Sequence, residues 1–344
     1  MTVSLIIPVY NTRFYLRRSI ESVAVAVDRL KIACELGPSV VEAICVDDGS
    51  TDGSYDELCR LKKEFDVRFG PTILSIILIH QNNKGVSVAR NVALDRAKGE
   101  WVAFLDADDK LSEDVLVRCF QTVRENPVCD AVVYGVESLN ADGTSNGRWP
   151  SDAGGVAHTG REALFQGSYI ASVCDKFFRK EVVDKNHLRF PVGMKIGEDT
   201  LFATMFMACA NRIVSLIPYI GYFAFLREGS ASTTKGSLLF EDPFRQFREL
   251  YAMWDDHYSI GLKRRLQRMA AVAPALGGCL VARSERMVAI SFLLKSSDFN
   301  KMILPFMLKH GEWRSRLFAI FYFALPAVVL RKVLLYKVAR FAAG

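Results

Sequence analysis

The sequence predicts an α/β fold in which a mostly parallel sheet is flanked by helices, followed by a helical, basic C-terminal extension. Three observations carry this. Short apolar or β-branched runs alternate with longer segments of helical spacing through the first 135 residues. Those runs are continuously apolar, as expected of strands covered on both sides. Polar clusters follow the runs directly, and ligands in such sheets bind beyond the carboxyl ends of the strands.

The elements follow in order. "VSLIIPV" (3–9) reads as the first strand, and Arg13 to Ala33 as the first helix. "VEAICVD" (41–47) is the second strand; the polar Asp47-Asp-Gly-Ser-Thr-Asp52 behind it suits a turn, with Ser50 or Thr51 capping a helix that starts near Asp52. "ILSIILIH" (73–80) leads into a helix over Lys84 to Lys98, and "WVAFLD" (101–106) into the crowded Asp106-Ala-Asp-Asp109 and a helix from Ser112. "DAVVYG" (130–135) is a further strand, and Gly197-Glu-Asp199 opens the apolar helical segment "TLFATMFMACA".

Composition narrows the function classes. The chain has 344 residues, half of them hydrophobic, and a formal net charge of +6. Its eight cysteines are scattered, with no Cys-x-x-Cys pair and no nearby His at ligand spacing. They read as small apolar fillers in a reducing compartment, which excludes a disulfide framework and a zinc site. "MTVSLIIPVY" has no basic stretch before its apolar run, which ends at Pro8, so it reads as a strand of a cytoplasmic protein and not as a leader. From Phe244 onward there are 17 Lys and Arg against 6 Asp and Glu, a net of +11 that leaves −5 for the rest. The basic excess is interleaved with aliphatic and aromatic runs, which points to an anionic membrane surface in preference to nucleic acid.

Each polar cluster has a bland reading. Asp47 to Asp52 could be only a turn, Asp106 to Asp109 a solvated loop, and Asn83-Lys-Gly-Val-Ser-Val-Ala-Arg-Asn91 a glycine-led helix start. Glu198 and Asp199 could simply complement a helix dipole. The first three would have to coincide on one rim, however, and three aspartates in four positions demand a counter-charge.

"SLIIPVYN", "VDDGSTDGS", "NKGVSVARNVALDRAKGEWVAFLDADD" and "GEDTLF", in that order, resemble glycosyltransferase family 2, the nucleotide-sugar transferases with the GT-A fold. The resemblance runs from Val3 to about Ser232. It implies a GT-A domain over 1–235; the basic excess and apolar runs beyond it predict a helical, membrane-associated region over 236–344. It implies a divalent cation, Mn²⁺ or Mg²⁺, as the counter-charge that lets carboxylates meet a diphosphate. Asp108 would be its ligand, with Asp106 as a further ligand or ribose partner. It places Pro8, Tyr10, Asn11 and Asp48 around the nucleotide, where Asp48 could accept a uracil N–H and so favour a UDP-sugar. Arg90 would balance the aspartates or reach the nucleotide. Asp199 would be the general base on the acceptor hydroxyl, with Glu198 beside the acceptor; one displacement with one base implies inversion.

The chain departs from the family pattern in two places. The segment "AVDRLKIACELGPSV" replaces the usual Gln-Thr-aromatic stretch after the first helix. "GYFAFLREGS" keeps Arg227, Gly229 and Ser230 but has Phe225 where an earlier arginine would fall. The Gln-x-x-Arg-Trp of processive members is absent, "SNGRW" (145–149) lacking the Gln, which implies one sugar per encounter.

Three other classes compete. A dehalogenase-like phosphotransferase expects Gly-Thr soon after Asp-x-Asp, where this chain has Lys110-Leu. A dinucleotide-dependent oxidoreductase needs Gly-x-Gly-x-x-Gly after the first strand, where Pro-Val-Tyr-Asn stands instead. A catalytically inactive, membrane-associated binding protein would not need Asp106, Asp108 and Asp199 together. Near the end, "LFAIFYFALPAVVL" (317–330) is uncharged but short of the roughly 20 residues a spanning helix requires. Its basic flanks predict a segment lying at the inner face of the cell membrane, close to a saccharide or lipid-linked acceptor.

Overall fold

The computed structural model describes residues 1–33, 41–70, 73–149, 159, 172–194 and 197–226. The chain divides into one compact unit of Met1–Gly193 with Glu198–Glu228 and a second of Met194–Gly197 with Gly229–Gly344. Nearly all of the second unit, including the uncharged run from 317 and its basic flanks, lies outside the described residues, and so does Arg227 near the end of the first unit.

The first unit opens as a repeated strand–helix alternation. Strand β1 (Val3–Val9) leads to α1 (Arg13–Ala33), β2 (Val41–Asp47) to α2 (Ser54–Phe69), and β3 (Leu74–His80) to α3 (Val86–Arg96). Then come β4 (Trp101–Phe104), the two-residue β5 (Lys110–Leu111) and α4 (Val115–Glu125). The remainder is β6 (Ala131–Leu139), β7 (Ser145–Trp149), β8 (Lys176–Arg179), α5 (Lys180–Lys185), α6 (Glu198–Cys209) and β9 (Ile213–Phe225).

These strands form one sheet in the order β3-β2-β1-β4-β8-β6-β9-β5, with β7 on β6. The first four are parallel, as the alternation predicts. Beyond β4 the pairing is mixed: β8 runs antiparallel to both β4 and β6, while β6 and β9 are parallel. That mixing was not legible, because the strands after β4 are not joined by the regular crossover helices that reveal a parallel neighbour.

Alternation along the strands explains the continuous apolar runs. Leu5, Ile7 and Val9 pack with Leu16, Ile20 and Val23 of α1, Leu58 and Leu61 of α2, and Leu116 of α4. Ile6, Ile44, Val46 and Phe104 pack on the opposite face with Ala89 and Ala93 of α3 and Phe202 and Phe206 of α6. Strand β1 sits in the middle, its Val9 level with Asp47 of β2 and its Ile6 level with Phe104 of β4. The carboxyl ends of β1, β2 and β4 therefore finish side by side, and the polar residues that follow them (Tyr10 and Asn11, Asp48 to Asp52, and Asp106 to Asp109) emerge on one rim.

Two local expectations change. Helix α2 starts at Ser54 after a left-handed Gly53, with no side-chain cap; Ser50 accepts the Asn11 N–H at 3.0 Å instead. Helix α4 starts at Val115 and not at Ser112.

Candidate active site

The first two rim loops clamp each other. Asn11, at φ 50°, accepts the Thr51 N–H on Oδ1 at 2.9 Å, while Ser54 Oγ and Asp52 Oδ2 accept the Thr12 and Arg13 N–H groups at 3.0 Å. These are orphan donors at the start of α1, satisfied by side chains of the next loop. Asn11, predicted at the nucleotide, thus also holds the loop. Gly49 makes the close approach possible: at φ +74° a Cβ there would lie 2.8 Å from the Asn83 nitrogen.

The paired aspartates after β2 point to different places. Asp47 is fully buried and meets His80 Nδ1 at 2.8 Å. Asp48 turns to the α3 side, where Oδ1 accepts from Gln81 Nε2 at 2.7 Å and the Lys84 N–H at 2.8 Å, and Oδ2 from the Gly85 N–H at 2.8 Å. A carboxylate offers about four acceptor positions, so these three bonds leave Asp48 one more. Tyr10 is half exposed beside this loop, and Pro8 is partly buried in β1.

Arg90 answers the crowding after β4. It is 4% exposed on α3, with Nη2 at 2.9 Å from Asp106 Oδ1 and Nη1 at 2.8 Å from Glu198 Oε1. Burial alone would lower the guanidinium's pKa; the charges of Asp106, Glu198 and Asp199 outweigh it and hold the group above its usual value. One cation therefore joins the carboxylate loop behind β4 to the start of α6. Phe190 lies under it, 5.2 Å from the guanidinium, and stacks on Phe202 at 4.2 Å. Asn91 fixes that ring by exchanging two hydrogen bonds with the Phe190 backbone, at 2.8 and 2.9 Å.

The three aspartates divide their tasks. Asp106 accepts from Arg90 on Oδ1, and its side chain is about one third exposed. Asp108 is partly buried, and its carbonyl accepts from Arg18 of α1. Asp109 is buried, accepting from the Tyr222 hydroxyl at 2.7 Å and the Phe225 N–H at 2.8 Å. Burial and then the charges of Asp106 and Asp108 push its pKa up to about 8.

Glu198 and Asp199 form the first turn of α6. Burial raises Glu198 against the pull of Arg90, and Asp199 is raised by burial against Arg90 and the Thr200 N–H at 2.6 Å. A carboxylate raised in this way is a better proton acceptor than a solvated one. Beneath lies a fully buried ion pair, Asp175 with Lys176 of β8, whose Asp175 Oδ2 has no hydrogen-bond partner. Burial and the charges of Asp106, Asp109 and Asp199 hold the Cys174 thiol above its usual pKa, so it stays neutral.

The structure thus gathers Asp106, Arg90, Glu198 and Asp199, and sets Pro8, Tyr10, Asn11 and Asp48 along the neighbouring strand ends. Sequence reasoning missed Asp109, Arg18 and Phe190. Asp109 was visible as a third aspartate, but its partners lie more than a hundred residues away. Among the described residues no group of three or more His, Cys, Asp or Glu is arranged to hold a metal ion by itself. The partly exposed Asp106, with Asp108 two residues on, nonetheless suits a hard cation that takes one or two carboxylates and completes its shell with phosphate oxygens and water.

Residues 4–186 match the family description "Glycosyl transferase family 2". The chain belongs to glycosyltransferase family 2 and carries the GT-A fold. It is 26% identical over 231 residues to a poly(ribitol-phosphate) beta-glucosyltransferase of Bacillus spizizenii, covering 67% of this chain and 33% of that protein. The chain spans about a third of the length of the first curated relatives it matches. Its fold is similar to residues 1–349 of Staphylococcus aureus TarS, solved with UDP (TM-score 0.71, 22% identity, 99% of this chain and 92% of that one) and with UDP-GlcNAc. A mannosyltransferase of Pyrobaculum calidifontis, solved with GDP-Man and Mn²⁺, is more distant (TM-score 0.53, 14% identity, 97% of this chain and 86% of that one). Among the described residues no helix is long and apolar enough to cross a membrane.

Proposed function

We propose that this protein transfers one sugar from a nucleotide-sugar, with UDP as its nucleotide, to a saccharide or lipid-linked saccharide acceptor in surface-polysaccharide synthesis, inverting the anomeric centre. The observation that carries this is the Arg90 bridge. It brings the carboxylates that suit a donor diphosphate and those that suit an acceptor hydroxyl into one cluster, with 2.9 and 2.8 Å contacts on either side.

In this reading the nucleobase lies over the ends of β1 and β2, with Tyr10 as its exposed aromatic neighbour and the last acceptor position of Asp48 for an imide N–H. The UDP and UDP-GlcNAc complexes of TarS favour uridine over guanosine. Asp108 and Asp106 would hold Mn²⁺ or Mg²⁺, and the Mn²⁺ named for the mannosyltransferase supports that choice. When bound, the cation supplies Lewis-acid stabilisation of the departing diphosphate. Asp199 takes the proton from the acceptor hydroxyl, with its carboxylate kept basic by burial, and Glu198 orients Arg90 and the acceptor side of the cleft. One base serving one displacement supports inversion. The acceptor named for the Bacillus relative is a polyol-phosphate polymer, which supports a cell-surface polymer here. An anionic membrane surface would be met by the basic C-terminal third.

A screen of UDP- and GDP-sugars for hydrolysis by purified protein with Mn²⁺ tests the reading. Release of UDP from one or a few UDP-sugars is the expected result. No release and no binding of any nucleotide-sugar would leave a membrane-associated binding protein that has kept the fold as the better description.

A further inference from the structure

The far half of the sheet reaches the carboxylate loop through two side chains. Tyr222 of β9 is fully buried, and its hydroxyl accepts the Asp106 N–H at 3.1 Å while donating to Asp109 Oδ2 at 2.7 Å. Burial, then the neighbouring Asp109, keeps that phenol protonated, as donation requires. The second oxygen of Asp109 accepts the Phe225 N–H at 2.8 Å, three residues further along the same strand. Immediately after the loop, β5 pairs with β9, Lys110 level with Phe223 and Leu111 level with Tyr222. Arg18 closes the other side: its guanidinium lies 3.5 Å from the centre of the Phe225 ring and donates to the Asp108 carbonyl.

With both oxygens taken by protein donors and the side chain buried, Asp109 does not face the donor. We propose that Tyr222 and Asp109 are positioning residues for Asp106 and Asp108. They fix the peptide between Leu105 and Asp109 so that the two outer carboxylates keep the direction a cation–diphosphate needs. This rests on the donor reading above. A sheet pairing alone would hold β5 in place; what it does not supply is an acceptor for the Asp106 N–H, and Tyr222 does.

The test uses the full chain as wild type, Tyr222→Phe, Asp109→Asn and the double variant. Tyr222→Phe keeps the buried ring and removes only the hydroxyl, and Asp109→Asn keeps the volume. Mn²⁺ binding in the presence of UDP is read by electron paramagnetic resonance, UDP binding in EDTA by calorimetry, and stability by thermal melt. Each single variant should weaken Mn²⁺ uptake about 10- to 100-fold, the range for residues that orient metal ligands, with UDP affinity in EDTA unchanged. The double variant should lose little more than the worse single, because both cut one chain of bonds. Mn²⁺ uptake within twofold of wild type in both singles, even with a lowered melt, would reduce the pair to fold support and overturn the proposal. Additive losses would overturn the single-chain account. Wild type that binds UDP but takes up no Mn²⁺ would instead sink the cation reading and this proposal with it.

Discussion

Arg90 holds Asp106 and Glu198 with two different nitrogens, and the two carboxylates come from segments 92 residues apart in sequence (198 less 106). A guanidinium can do this because its donors form a rigid fork; an ammonium is a single point. Arg90→Lys should therefore keep a charge but reach only one partner. Transfer should fall about a hundredfold, the loss expected when reacting groups are misplaced by about 1 Å. Steady-state kinetics with the preferred UDP-sugar measures it, and wild-type kcat/KM in the lysine variant would show that charge alone is enough.

Asp199 must be unprotonated to accept a proton, and burial lifts its pKa above the ordinary aspartate value. Activity should rise with pH, and the acidic limb of the kcat/KM profile should sit above the pKa of about 3.9 typical of a solvated aspartate. Asp199→Asn should cut transfer by about two to four orders of magnitude and abolish that limb, with donor affinity kept. A variant that loses donor binding but retains turnover at saturating donor would give Asp199 another task.

Asp108→Asn removes a carboxylate without changing size. Turnover and cation-dependent nucleotide binding should disappear while the melt of the metal-free protein stays close to wild type. Full wild-type activity in excess chelator would defeat this expectation.

The loop clamp makes a prediction of the opposite kind. Asp52 accepts from Arg13 N–H, Ser54 N–H and Ser54 Oγ. Asp52→Ala should cost about 1 kcal/mol of stability, as loss of a capping acceptor does. Catalytic turnover at saturating donor should change far less than in the Asp199 variant. Denaturant melts and kinetics on the same preparation separate the two effects.

Much of this was readable from residue order. Strands β1 and β2 and helix α1 fall where the apolar runs and helical spacing place them, because a strand buried on both faces has a sequence pattern of its own. Family resemblance set Arg90 beside the aspartates and Glu198 beside the acceptor, but the bridge from Asp106 to Glu198 through Arg90 was not legible, since nothing local links the three. Tyr222, Phe225 and Asp109 were not legible: their contacts depend on β9 returning beside β5, a tertiary fact. Phe190 was hidden too, because an aromatic residue in a loop has no periodicity to reveal the helix it packs against. The expected membrane segment and Arg227 fall outside the described residues.

The clamp between Asn11, Thr51, Ser54 and Asp52 also bears on the heat of nucleotide binding. A loop already fastened at both ends has little conformational freedom left to surrender when a ligand arrives. The entropy of ordering that rim is spent during folding, once, and not at each encounter with donor. UDP should therefore associate with a small entropic penalty from the protein, and loosening the clamp should appear in calorimetry as a more unfavourable entropy with little change in enthalpy.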